Sequence, residues 1–165
     1  MQNMSNTVAL ALGSNTGNRL AALESAIAAL RARGFRITAK SRVWETEPWG
    51  LADQPPFLNM CLLAETELEP LDTLRAVKDI EKQLGRKKRC HWGPREIDID
   101  IIMAGETTLS SPELTIPHQL MHERAFVLVP LSEIAPDALH PLLKKSVSEL
   151  LAALPAEKMT WIIQM

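Results

Sequence analysis

Trp92-Gly93-Pro94-Arg95-Glu96-Ile97-Asp98-Ile99-Asp100-Ile101 sets two carboxylates two residues apart inside an apolar, β-branched run. Branched side chains fit a pleated surface, and successive side chains of a strand point to opposite faces. Asp98 and Asp100 therefore share one face, about 6 to 7 Å apart along the chain, while Ile97, Ile99 and Ile101 line the face that packs on a core. Like charges so placed repel. No Lys or Arg lies between them, and a divalent cation shared with a phosphate ligand, magnesium being the natural one, would turn the repulsion into attraction. Taken alone, Asp-x-Asp is equally the mark of a half-buried strand with a solvated polar face. What surrounds it decides.

Working outward, Thr7 to Leu12 is a β-rich run that ends at Gly13-Ser14-Asn15, and Leu20, Leu23, Ile27 and Leu30 follow at helical spacing until Gly34. Phe35 to Trp44 alternates and predicts a second strand; Phe57 to Glu65 predicts a third. Pro70 opens a helix carrying Leu71, Leu74, Val77, Ile80 and Leu84, stopped by Gly85. With the Asp-x-Asp strand the order is β-α-β-β-α-β. That is an α+β chain with a ferredoxin-like antiparallel sheet and two helices on one face. A hairpin around Gly105, a turn at Pro117-His118 and additional C-terminal helices over Met121 to Glu133 and Ser146 to Leu154 complete the pattern, and the tail Met159 to Met165 reads as an edge strand or a packed arm. The stretch Glu45 to Pro56 carries three prolines and a glycine, so it is read as a loop, as is Arg86 to Pro94. Both are expected to act as lids.

The totals narrow the function. A chain of 165 residues is expected to be a single domain, 1–165, able to bury a sizeable core. Two cysteines, Cys61 in a strand and Cys90 in a basic loop, make no disulfide framework and suit a reducing compartment. The start lacks a secretory pattern, and no run approaches the ~20 apolar residues of a membrane span, so a cytoplasmic location is expected. A net charge of -2 argues against a general polyanion binder.

Positive charge is local. Arg86 to Arg95 holds five permanent cations in ten residues directly before the two carboxylates, a pairing that suits a polyphosphate with magnesium. Individually, Lys87, Lys88 and Arg89 read as well as a solvated loop. Ile116 to Phe126 adds His118, His122 and Arg124 at a turn entering a helix. Zinc is rejected there, because Pro117 puts His118 in the turn and no Cys or His-Glu-x-x-His partner exists. His122 reads as a surface helix residue. Gly13-Ser14-Asn15-Thr16-Gly17-Asn18 matches no phosphate-binding glycine motif and reads as a turn with an N-cap. Of seven aromatic residues, Trp44, Trp49, Phe57, Trp92 and Phe126 fall in or beside the loops, a bias that a flat π-system ligand would explain.

With ALGSNTGNR, TEPWG, DQPPFLN, IEKQLGR, HWGPREIDIDII and LTIPHQLMHERAFVLVPLSEIAP in order over almost its whole length, the chain closely resembles the 6-hydroxymethyl-7,8-dihydropterin pyrophosphokinases of folate biosynthesis. The resemblance implies a ferredoxin-like fold and transfer of the pyrophosphoryl group of ATP to the pterin hydroxymethyl, releasing AMP, with two magnesium ions (Mg2+) bridging the phosphates. It implies Asp98 and Asp100 as metal ligands, and Glu81, Arg86, Arg95, Ile101, Thr115, His118 and Arg124 on the ATP side. Thr46, Trp49, Asn59, Trp92 and Asp98 would hold the pterin, with Phe57 and Phe126 stacking on its ring. Arg86, Arg95, Asp98 and Asp100 form the candidate catalytic set. Phe57 stands where a Tyr is frequent, Glu47 where a Pro is usual, and Lys78 and Glu113 where some members have ATP-contacting Gln and Arg, so no ATP role is carried to those last two. ATP and the pterin are the expected partners of a monomer that needs no protein partner, nucleic acid or membrane. A ferredoxin-like nucleic-acid module fares worse, since such modules need a basic sheet face and this one carries two Asp residues.

Overall fold

The computed structural model describes residues 6–47, 54–85, 96–159 and 162–164. In chain order the elements are β1 (Thr7–Ser14), α1 (Arg19–Ala32), β2 (Arg36–Lys40), β3 (Trp44–Thr46), β4 (Phe57–Glu65), α2 (Pro70–Gln83), β5 (Asp98–Ala104), β6 (Leu109–Ser110), β7 (Thr115–Ile116), α3 (Ala125–Ile134), α4 (Val147–Ala152) and β8 (Ile162–Gln164). The main sheet runs β5-β1-β4-β3-β8, with β2 also pairing β4, and each of these pairings is antiparallel.

The central strands are buried on both faces, which is why β1 and β4 read as nearly continuous apolar runs. On one face Leu10, Leu12, Ile99 and Ile101 pack with Leu23, Ile27 and Leu30 of α1 and Val77 and Ile80 of α2. On the other, Ala9, Cys61, Ile102 and Met103 pack with Leu128 and Leu131 of α3 and Val147 and Leu150 of α4. Burial pushes the Cys61 thiol well above its ordinary value, so it behaves as a small apolar side chain.

Helix ends follow from local chemistry. The Asn18 side chain accepts from the Ala21 amide at 3.0 Å and starts α1. Gly34 and Gly85 end α1 and α2 at φ of 89° and 92°, a left-handed backbone that other residues adopt only with strain. Ser146 and Glu149 form a reciprocal capping box at α4. Among the described residues no helix is long and apolar enough to cross a membrane.

Five readings of the pattern are corrected. Leu20, placed on the core stripe of α1, is half exposed. The strand expected over Phe35 to Trp44 is two strands: the Ser41 amide donates to the Cys61 carbonyl and the Ser41 hydroxyl accepts from the Cys61 amide, both at 2.9 Å, and this side-chain link interrupts the ladder between β2 and β3. Glu45 and Thr46, read as the start of a loop, belong to β3. Gly105 does not turn β5 back on itself; its amide bonds to the Thr7 carbonyl, and the hairpin forms later between β6 and β7. The helix expected from Met121 breaks at Arg124, whose extended backbone (φ -110°, ψ 101°) separates a single tight turn, Met121–Glu123, from α3. The tail provides an edge strand, β8 on β3.

One side chain ties that edge together. The Glu133 carboxylate accepts from the Arg42 amide (3.1 Å), Arg42 Nε (2.6 Å) and Trp44 Nε1 (2.9 Å), while Arg42 also donates to Gln164. Burial alone would raise the Glu133 carboxyl, but the bonds from Trp44 and Arg42 outweigh it and hold the group below its ordinary 4.5. A depressed acid contributes stability above its unfolded value and loses it as pH falls through the folded one. Glu133→Ala is expected to cost about 2 kcal/mol in urea unfolding at neutral pH. The difference from the parent should shrink below pH 4.5; a difference independent of pH would break this account.

Candidate active site

Strand register assembles the site. Gly13 at the end of β1 lies opposite Asn59 of β4 on one side and Asp98 of β5 on the other, and Trp44 of β3 lies opposite Asn59. Directly paired residues point to the same face. Two residues inward, Ala11 lies between Cys61 and Asp100; at the outer rim, Phe57 pairs Thr46. Asp98, Asp100, Asn59, Phe57 and Thr46 thus share the sheet face that α3 covers, at the end where Arg124 leads into that helix.

Gly13 is the floor. A Cβ there would stand 2.8 Å from Asn59 Oδ1 and 3.5 Å from Phe57 Cδ1, so the missing side chain lets the Asn59 carboxamide and the Phe57 ring close down on the strand. Asn59 Nδ2 donates to Thr46 Oγ1 at 2.6 Å, which fixes the carboxamide. Phe126 meets the Arg124 guanidinium 5.5 Å above its ring.

Asp98 and Asp100 are half-buried on the predicted common face, while Ile97, Ile99 and Ile101 opposite are 0%, 1% and 4% exposed. Burial first, and then the charge of Asp98, push the Asp100 carboxyl up to about 7, against opposing contributions from Lys78 and Arg124. Burial lowers the Arg124 guanidinium from its ordinary value, offset by Asp100 and Asp98. Glu81, 2% exposed, accepts from the Ile99 amide at 2.7 Å and from Lys78 Nζ at 3.2 Å. Its carboxylate therefore caps the free edge of β5 at the residue between the two aspartates.

His118 lies in the turn, as expected, its amide donating to the Ile102 carbonyl at 2.8 Å. Its imidazole is pushed down to about 4, by burial first and Arg124 second. Its Nδ1 accepts from the Leu120 amide at 3.1 Å, so the ring is neutral with its proton on Nε2. Ile101 turns its side chain into the core, leaving only backbone for a ligand, and Thr115 sits on β7, which packs against β5. Trp49, Arg86, Trp92 and Arg95, with Lys87, Lys88 and Arg89, lie outside the described residues. Sequence reading missed Gly13 as the floor and Asn15 and Arg19 beside it, although the Gly-Ser-Asn turn directly after the first strand marked the place.

A family model for 7,8-dihydro-6-hydroxymethylpterin-pyrophosphokinase (HPPK) matches residues 9–136, well over half of the 165-residue chain. The chain belongs to this family. It is 41% identical over 143 residues to the 2-amino-4-hydroxy-6-hydroxymethyldihydropteridine pyrophosphokinase of Aquifex aeolicus, covering 87% of this chain and 89% of that protein. It is 46% identical over 129 residues to the protein of the same description from Methylorubrum extorquens, covering 78% and 82%. In fold it is similar to the wild-type HPPK-DHPS of Plasmodium falciparum, with a TM-score of 0.70 at 16% identity, covering 89% of this chain and 44% of that one. This HPPK chain therefore spans less than half of that longer protein.

The neutral His118 is open to direct measurement. A base whose folded value is depressed stays neutral while its unfolded counterpart protonates, so it withdraws stability as pH falls from 6.5 toward about 4. In an NMR titration of the ligand-free protein the His118 ring should remain neutral at pH values where exposed histidines are half charged. A midpoint at or above 6.5 would overturn the assignment.

Proposed function

We propose that this HPPK-family chain transfers the pyrophosphoryl group of ATP to the hydroxymethyl group of 6-hydroxymethyl-7,8-dihydropterin in folate biosynthesis, releasing AMP and the pterin diphosphate. The observation that carries it is the Asp98/Asp100 pair beside Arg124, on the same sheet face as Asn59, Phe57 and Thr46. Membership of the family supports it, as do the curated relatives called pyrophosphokinases. The strand order β5-β1-β4-β3 supports a ferredoxin-like class for the βαββαβ core. Our reading is one domain over residues 1–165, a cytoplasmic monomer without protein, nucleic-acid or membrane partners.

The residues fit magnesium. Two carboxylate oxygen donors with no sulfur or imidazole among them suit a hard cation, and the raised Asp100 carboxyl marks a cluster short of positive charge. Among the described residues no group of three His, Cys, Asp or Glu is gathered for a metal, as expected where phosphate and water complete the shell. Asp98 and Asp100 would hold two Mg2+ ions, which supply charge neutralisation at the β- and γ-phosphates. Arg124, with Arg86 and Arg95 of the basic loop, grips phosphate oxygens, and neutral His118 offers its Nε2 proton as a hydrogen bond. Glu81 keeps β5 in register so that the two aspartates hold their spacing, and Ile101 and Thr115 border the nucleotide. On the other side Thr46, Asn59, Asp98, Trp49 and Trp92 hold the pterin, with Phe57 and Phe126 on its ring faces. The pterin oxygen bonds to the β-phosphorus, the bond from that phosphorus to the oxygen shared with the α-phosphorus breaks, and the hydroxyl proton is released. Loose phosphoryl transition states reward positioning and charge stabilisation more than a strong base.

Nucleotide analysis tests the reaction. With magnesium, ATP and the pterin, AMP and pterin diphosphate should form in equal amounts; stoichiometric ADP would mean attack at the γ-phosphorus and would refute it. Asp98→Asn and Asp100→Asn should each remove most turnover while leaving the protein folded, because neither side chain faces the Ile97, Ile99, Ile101 core; Asp100→Asn should also raise the unfolding midpoint above pH 7, where it removes the cost of a buried charge. Near-normal activity of either variant at saturating magnesium would remove the metal assignment.

The ion should also read out without catalysis. A raised acid costs the metal-free fold stability as pH climbs from 3.8 through about 7, and the bound cation relieves that cost. Magnesium added to ligand-free protein should therefore raise the melting temperature more at about pH 8 than at about pH 6, where Asp100 retains its proton. Equal shifts would show that the ion binds elsewhere.

A further inference from the structure

The turn between β1 and α1 carries a set of bonds that the reaction does not use. Asn15, 1% exposed, donates through Nδ2 to Gln54 Oε1 at 2.8 Å and to the Pro55 carbonyl at 3.0 Å. Arg19, the first residue of α1, donates through Nη1 to Glu45 Oε2 at 2.7 Å and to the Pro56 carbonyl at 3.1 Å. We infer that this turn is a clamp that sets the pterin side of the site, with Arg19 as its positioning residue, an inference that rests on the pterin-binding reading of Thr46 and Phe57.

Register makes the connection. Glu45 immediately precedes Thr46, Pro56 immediately precedes Phe57, and Thr46 and Phe57 are direct cross-strand partners. One guanidinium thus holds the two strands at the positions next to both residues. Pro55 and Pro56 have no N–H to give a ladder and a fixed φ, so the approach to Phe57 is stiff and is directed by whatever grips its carbonyls. Asn15 and Arg19 are those grips. A half-exposed ion pair is ordinarily worth little, and the side chains of Arg19 and Glu45 are 27% and 22% exposed. Here the same nitrogen also serves a backbone carbonyl, and the planar guanidinium fixes the directions of its two N–H bonds where an ammonium on a flexible stem does not. The clamp lines an open cleft of about 640 Å³ whose lining includes neither Asp98 nor Asp100, so its loss should leave the metal half of the site intact.

The test separates the pterin half from the nucleotide half. Arg19→Gln is expected to raise KM for the pterin about tenfold, the loss of one charge-assisted bond network, with KM for ATP within about twofold. Arg19→Lys should recover only part of it, and Glu45→Gln should reproduce the direction if Arg19→Gln folds poorly. Hydrogen exchange on ligand-free protein should quicken at Thr46, Phe57 and Leu58 while β5 stays protected, a pattern that general destabilisation would not give. Unchanged pterin KM with unchanged local exchange, or equal changes in both KM values with exchange rising across the sheet, would overturn the clamp. If the unaltered protein neither binds nor converts the pterin, the functional reading fails, and the exchange pattern still decides whether Arg19 holds Thr46 and Phe57 in place.

Discussion

Two like charges on adjacent same-face positions of one strand are the constraint on which this molecule depends. A strand cannot separate Asp98 from Asp100 except by changing register, and a one-residue slip would send both into the core and three isoleucines into the site. The structure resists that slip at three points. Ile97, Ile99 and Ile101 are anchored beneath the sheet. The β1 ladder pairs both aspartates. Glu81 holds the Ile99 amide on the edge where, among the described residues, no further strand pairs β5. A buried carboxylate used to fix a backbone amide adds a third negative charge beside two others, and Lys78, which bonds to Glu81 and lowers the Asp100 carboxyl, offsets it. Lys78 thus makes the carboxylate cluster less negative from within.

The second constraint is that both faces of the sheet must be covered and one end left open. Helices α1 and α2 cover one face completely. On the other, the extended backbone at Arg124 interrupts what would otherwise be one helix from Met121, so α3 begins one residue before Phe126. That break keeps the Arg124 guanidinium within electrostatic reach of both carboxylates, with the Phe126 ring beneath it. A continuous helix would have carried Arg124 away from Asp98 and Asp100 on its own periodicity.

How much of this was legible follows from which forces act locally. The Asp-x-Asp strand, the glycine stops at Gly34 and Gly85 and the Pro70 helix start are written in alternation, backbone freedom and a missing N–H, all properties of a few neighbouring residues. The division of Phe35 to Trp44 into two strands was not, because it depends on Ser41 meeting Cys61, 20 residues away. Likewise, the neutrality of His118 comes from burial and from Arg124, neither of which shows in the Pro-His pair. Of the candidate site, the charged residues announced themselves by type and spacing. The space they surround did not.

That space rests on Gly13. Its role is visible only in register, where one β1 residue separates Asn59 from Asp98, and there a methyl group would press on the carboxamide that Thr46 holds. Asn59 cannot yield without breaking its bond to Thr46, and Thr46 cannot move without disturbing Phe57 opposite it. The floor, the polar edge and the aromatic wall of the site are therefore one coupled unit built from three strands. The carboxylates on β5 are coupled to that unit through the β1 ladder, since Gly13 pairs Asn59 on one side and Asp98 on the other.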